Sequence, residues 1–132
     1  MRFELIDKVI EQTDTAIKAV KNVSSAEEYL QDHFPGFSVL PGVMMLETLA
    51  QAGRKLVATQ TDAPKMPLII QTVRGVKYAN MVRPGQQLIV DVTLKKRDGD
   101  RFDFVGTGTV EGNTAVTGRF TLSPIPDQSA PR

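Results

Sequence analysis

Between residues 43 and 60 the apolar side chains recur at helical spacing. Val43, Met45, Leu46, Leu49, Ala50, Ala52, Gly53, Leu56 and Val57 cover well over half of a helix circumference, which predicts a largely buried helix over Val43–Gln60. The remaining stripe carries Glu47, Thr48, Gln51, Arg54 and Lys55. From Leu68 onward the period drops to two. Leu68–Tyr78 reads as one strand. In Gln87–Arg97, Leu88, Val90, Val92 and Leu94 face one way and Ile89, Asp91, Thr93 and Lys95 the other. Asp98-Gly99-Asp100 signals a hairpin, Arg101–Val110 follows with Phe102 and Phe104 on one face, and Glu111-Gly112-Asn113 makes a second tight turn into Thr114–Leu122.

Ahead of the helix, residues 3–11 show a short helical or turn-like pattern with Phe3, Ile6 and Ile10 as inward anchors, and Thr15–Val23 reads as a strand. Ser24-Ser25-Ala26-Glu27-Glu28 looks like a helix entry, a serine cap followed by acids. That short helix should stop near His33, because Pro35 disfavours helical geometry just before it. The two prolines of Thr61–Pro67 mark a loop, and Ser123–Arg132, proline-bearing and poor in apolar groups, is expected to be a loose tail. One greasy helix with five or six strands predicts an α+β sandwich, in which a curved antiparallel sheet wraps the helix. A single domain over residues 1–122 is expected.

Composition changes this picture mainly by exclusion. A hydrophobic content of 41% and a charged content of 23% suit a soluble globular chain, and a formal net charge of +1 lacks the basic excess of a nucleic-acid binder. With no cysteine there is no disulfide, thiolate nucleophile or cysteine-based zinc site, and one histidine makes a metal site unexpected. The opening residues alternate charged and apolar groups, unlike a signal peptide, and the weakly polar run Val39–Gly53 is too short for a membrane span. The expected compartment is the cytoplasm.

Three groups within one short window carry candidate chemistry. His33, the chain's single imidazole, has a side chain suited to proton transfer near neutrality. Glu47 interrupts an oily helix, which suits a second proton-handling group; it also fits the solvated face of an amphipathic helix beside Gln51 and Arg54. Pro41-Gly42 opens the helix without a Ser, Thr, Asp or Asn cap, so its first amides are candidates to bind a developing negative charge, with water or a nearby carbonyl as the alternative.

His33-Phe34-Pro35-Gly36, followed by Val39-Leu40-Pro41-Gly42-Val43-Met44-Met45-Leu46-Glu47-Thr48-Leu49-Ala50-Gln51-Ala52-Gly53, resembles the signature of the (3R)-hydroxyacyl-[acyl-carrier-protein] dehydratases. Leu5–Val9, Val76-Lys77-Tyr78 and Val82-Arg83-Pro84-Gly85 extend the similarity over roughly residues 5–122. The resemblance implies the hot-dog fold, a long central helix wrapped by an antiparallel sheet. It implies His33 as base, Glu47 as second catalytic group, the Gly42 amide on the thioester carbonyl, and Gln51 as a supporting donor. It further implies that Glu47 meets the His33 of a second copy, so that a homodimer is the smallest active unit and a trimer of dimers is common.

The substrate would be an acyl-carrier-protein or coenzyme A thioester, and no cofactor is expected, phosphopantetheine arriving on the carrier. Phe37, Met44 and Met45 are candidates for an acyl tunnel, although methionines more often simply fill a core. Arg54, Lys55, Lys77 and Arg83 are candidates for a basic rim that steers an acidic carrier. Departures from the family pattern are Asp32 before the histidine, Phe37-Ser38, Arg54 where glycine is common, and Gln86 after Pro84-Gly85. They leave chain length and pathway open. Two other functions stay in view: a hot-dog thioesterase using Glu47 to activate water, and an acyl-binding module without activity.

Overall fold

The computed structural model describes residues 5–23 and 40–125. In chain order they form β1 (Lys8–Gln12), β2 (Ala16–Asn22), α1 (Gly42–Val57), β3 (Leu68–Tyr78), β4 (Gln87–Asp98), β5 (Arg101–Val110) and β6 (Asn113–Pro124). Every pairing is antiparallel, in the order β1-β2-β4-β5-β6-β3, and α1 lies against one face of this six-stranded sheet. This is the hot-dog arrangement.

Alternation drives the wrapping. Leu88, Val90 and Val92 of β4, Phe102 and Phe104 of β5, and Val116, Phe120 and Leu122 of β6 are all buried. They meet Met45, Leu49, Ala50, Ala52, Leu56 and Val57 of α1 in one core. Gly53 lets the helix sit close to the sheet: a Cβ there would lie 3.3 Å from Leu122 and 3.4 Å from Phe104 and Phe120. The Phe104 and Phe120 rings stack beneath it with centroids 5.2 Å apart.

The strand boundaries expected from periodicity hold for β2 to β5 to within a residue or two. Both hairpins form as expected, the second through Glu111 and Gly112 at positive φ (50° and 80°), the geometry a two-residue turn between twisted strands requires.

Four expectations need correction. Residues 8–12 are not helical or turn-like but form β1, an exposed edge strand on β2, and Ile10 points outward at 43% exposure while Ile6 is buried. Val43 is exposed, at 68%, rather than on the buried face of α1. Thr48 is fully buried rather than on the polar stripe; its hydroxyl donates to the Met44 carbonyl (2.7 Å), which satisfies it without solvent. Strand β6 continues beyond Leu122: Ser123 and Pro124 pair with Ile69 and Leu68 and so belong to the sheet. The short helix expected after Ser24 lies outside the described residues.

Candidate active site

Helix α1 starts at Pro41, whose extended backbone (φ −60°, ψ 145°) places its carbonyl to accept from the amides of Met44 and Met45, at 2.9 and 3.1 Å. Among the described residues no side chain caps this end, and the first turn carries no acid, so none of them places a carboxylate at the positive end of the helix dipole. Leu40 donates its amide to the Val82 carbonyl (2.7 Å), and both residues are buried, which ties the helix entry to the segment between β3 and β4.

That segment supplies the wall opposite the helix. Leu40, Pro41, Gly42 and Met45 face Tyr78, Ala79, Asn80 and Met81 across a depression of about 340 Å³. Ala79 donates to the Ala115 carbonyl (2.9 Å) and the Asn80 amide side chain to the Thr114 carbonyl (2.6 Å), so the wall is bonded to β6. The Tyr78 ring packs so close to Gly42 that a Cβ there would sit 3.1 Å from two ring carbons. Any larger residue at 42 would push the ring back by a few tenths of an ångström. Half of Tyr78 remains open to solvent, and the burial of the rest raises the phenol above its ordinary range.

One turn further along, Glu47 is partly buried, its side chain 34% exposed. Arg54, two turns below it on the same stripe, donates from Nη1 to Glu47 Oε1 at 2.5 Å and from Nε to the carbonyl of Leu68, the first residue of β3, at 2.8 Å. A pair this accessible adds about 0–1 kcal/mol to stability, so its main consequence is to orient the carboxyl group.

The other expected site residues divide. Met45 is buried and lines the depression, whereas Met44 is only partly buried against the core. Gln51 accepts the Leu5 amide on Oε1 (2.8 Å), which anchors the opening segment to the helix. Arg54, a candidate rim cation, has its guanidinium turned toward Glu47 and Leu68. Lys55 and Arg83 are exposed and each has a partner. Lys77 sits with Arg74 and Arg119 in a shallow depression on the sheet face away from α1. His33 and Phe37 lie outside the described residues. Gln86, the departure after Pro84-Gly85, closes its own turn. Its side chain accepts the Arg83 amide (2.8 Å) and its backbone amide donates to the Arg83 carbonyl (3.0 Å), while Gly85 takes the positive φ of 91° that such a turn needs.

Two features were not legible as functional. Tyr78 stood out only as part of a weak motif. The outer sheet face gathers Arg74, Lys77, Lys95, Arg101 and Arg119 with Asp103 among the described residues, a cluster hidden in a chain of near-zero net charge. Strand alternation signals that these cations point outward, but only the register, with Arg74 opposite Arg119, brings them together.

A FabA-like domain model matches residues 1–119, which takes in the segment carrying His33, Gly42 and Glu47. The chain belongs to the FabA-like family of 3-hydroxyacyl-[acyl-carrier-protein] dehydratases. It is 36% identical over 121 residues to the 3-hydroxyacyl-[acyl-carrier-protein] dehydratase FabZ of Lactococcus lactis subsp. cremoris, an alignment covering 92% of this chain and 84% of that one. It is 33% identical to FabZ of Rickettsia felis over 129 residues, covering 96% and 88%. Among solved structures, the dehydratase heterocomplex ApeI:P from Xenorhabdus doucetiae superposes with a TM-score of 0.71 at 23% identity, covering 95% of this chain and 84% of that one. A hypothetical thioesterase with coenzyme A from Streptococcus pneumoniae gives 0.66 at 10% identity, covering 91% and 86%. At such identities these two structures establish the hot-dog fold of the FabA-like chain and nothing finer.

Proposed function

We propose that this FabA-like protein removes water from a (3R)-hydroxyacyl thioester on acyl-carrier protein to give the trans-2-enoyl thioester, as a hydro-lyase of fatty acid synthesis. The observation that carries this reading is the family match across residues 1–119, with its uncapped helix entry at Gly42 one turn from Glu47.

The C2 proton of a thioester is weakly acidic until the carbonyl is polarised. A hydrogen bond from the Gly42 amide, at the positive end of α1, would stabilise the enolate-like oxygen by about 3–4 kcal/mol, the worth of one donor in comparable oxyanion sites. Neutral His33 takes the C2 proton, the C2–C3 double bond forms, and the C3–O bond breaks. The departing hydroxyl needs a proton to leave as water. Glu47 either supplies it or orients the hydroxyl while His33 returns the proton it took. No cofactor of the protein's own enters this scheme; phosphopantetheine arrives with the substrate.

Met45 and the Tyr78–Met81 wall form the apolar approach to Gly42. The basic outer face around Arg74, Lys77 and Arg119 suits an acidic carrier. A second copy supplies the His33 that meets Glu47. Support for this is the free outer edge of β3, which among the described residues pairs only with β6 and exposes Val73 and Tyr78.

Incubating the protein with 3-hydroxyacyl-carrier-protein substrates of several chain lengths tests the reading. Enoyl thioester is the expected product. Free acid would mean a thioesterase, and unchanged substrate a binding module. His33→Ala and Glu47→Gln should each lower turnover at least about a hundredfold; wild-type turnover in either variant removes that residue from the mechanism.

A further inference from the structure

We infer that Arg54 is a positioning residue for Glu47, and that it fixes this carboxyl group relative to the start of β3. The inference rests on the reading of Glu47 as a catalytic group.

The geometry is a fork. One guanidinium plane donates to two acceptors on different elements: Nη1 to Glu47 Oε1 at 2.5 Å and Nε to the Leu68 carbonyl at 2.8 Å. Guanidinium donors diverge at fixed angles, so holding two of them immobilises the plane, and the plane then sets where the carboxyl oxygen sits. A glutamate on a helix has three rotatable side-chain bonds and no orientation of its own. Glu47 and Arg54 are seven residues apart, two turns of one helix, which puts both on one stripe. The Leu68 carbonyl is the external reference that a purely intrahelical pair would lack. Leu68 itself is buried in the core and its strand position is held by pairing with Pro124, so the reference does not drift.

This arrangement gives Arg54 work that neither surface solubility nor carrier docking would give it. At about a third exposed, the arginine is withdrawn from the rim. Its stem lies over the helix while its head is committed to two oxygens. A catalytic carboxyl group must stay within hydrogen-bond reach of the departing hydroxyl, and a displacement of about 1 Å can cost on the order of a hundredfold in rate. The arginine therefore acts on turnover through Glu47 and touches no substrate.

The test is a double-mutant cycle on the full chain, read as kcat and KM for a 3-hydroxyacyl-carrier-protein substrate. Arg54→Met should lower kcat about tenfold or more and leave KM within about threefold, the pattern of an interaction expressed in the transition state. In the Glu47→Gln background the same change should cost less than about twofold, because the group it positions is already disabled. Arg54→Lys, which keeps the charge and most of the stem but cannot span both acceptors, should show the same kcat loss as Arg54→Met, and it serves as the variant should Met impair folding. Wild-type kcat in Arg54→Lys, or an equal loss with and without Glu47, overturns the inference. If the unmodified protein makes no enoyl product, or Glu47→Gln keeps full turnover, it is the dehydratase reading that fails.

Discussion

At the scale of single residues, the site is built from side chains whose environment matters more than their identity. A Cβ at Gly42 would sit 3.1 Å from the Tyr78 ring, which would have to give by a few tenths of an ångström. Glu47 accepts from Arg54, the contact on which the proposed positioning rests. Tyr78 carries a consequence of its own. Burial against the helix raises its phenol, so the folded state disfavours the phenolate. The stability tied to the neutral phenol is complete below the unfolded tyrosine value and is lost as pH rises through the higher folded value. Thermal melts between about pH 9 and 11 should therefore fall more steeply for the wild type than for Tyr78→Phe. Parallel curves would show that the ring face on Gly42 is wet.

The helix entry is the element to which the proposed chemistry assigns the thioester carbonyl. A helix of sixteen residues normally begins with a side-chain acceptor, and α1 begins with proline. Pro41 suits the extended backbone at that position and leaves the amide end open to a ligand. Pro41→Asp should close it, since an aspartate there accepts from the first-turn amides and neutralises the dipole. The expected outcome is turnover lowered at least about tenfold with little loss of thermal stability, the new cap offsetting the lost proline. Unchanged turnover would show that the open helix end contributes nothing to the reaction. The strands are plainer: β4 and β5 could be drawn from alternation alone, because one face is buried and the other solvated. Strand β1 escaped the pattern because it is exposed at every position and so has no buried face to alternate with.

For the whole molecule, one sheet edge is the open question that the fold poses. Strand β3 pairs on one side with β6 and, among the described residues, presents its other side with Val73 and Tyr78 exposed. An eleven-residue strand left in that state invites a partner, and a second copy placed there would bring two depressions and two basic faces into one assembly. Sedimentation at micromolar concentration should show a dimer or a multiple of it. A species of only 14.5 kDa would contradict a site shared between copies.

Local order was legible from residue types alone. The helix, five of the strands and both hairpin turns follow from periods of 3.6 and 2 and from Gly, Asp and Asn at the bends, because burial and backbone sterics act over a few neighbouring positions. The window from His33 to Glu47 was visible for the same reason, its groups being close along the chain. What lay beyond reach was every pairing between distant segments. The inward turn of Arg54 toward the Leu68 carbonyl, the Tyr78 ring over Gly42, the buried hydroxyl of Thr48 and the gathering of Arg74 with Arg119 each depend on register and on how closely helix and sheet approach. Those are settled by packing the whole core at once, and no short stretch of sequence contains them.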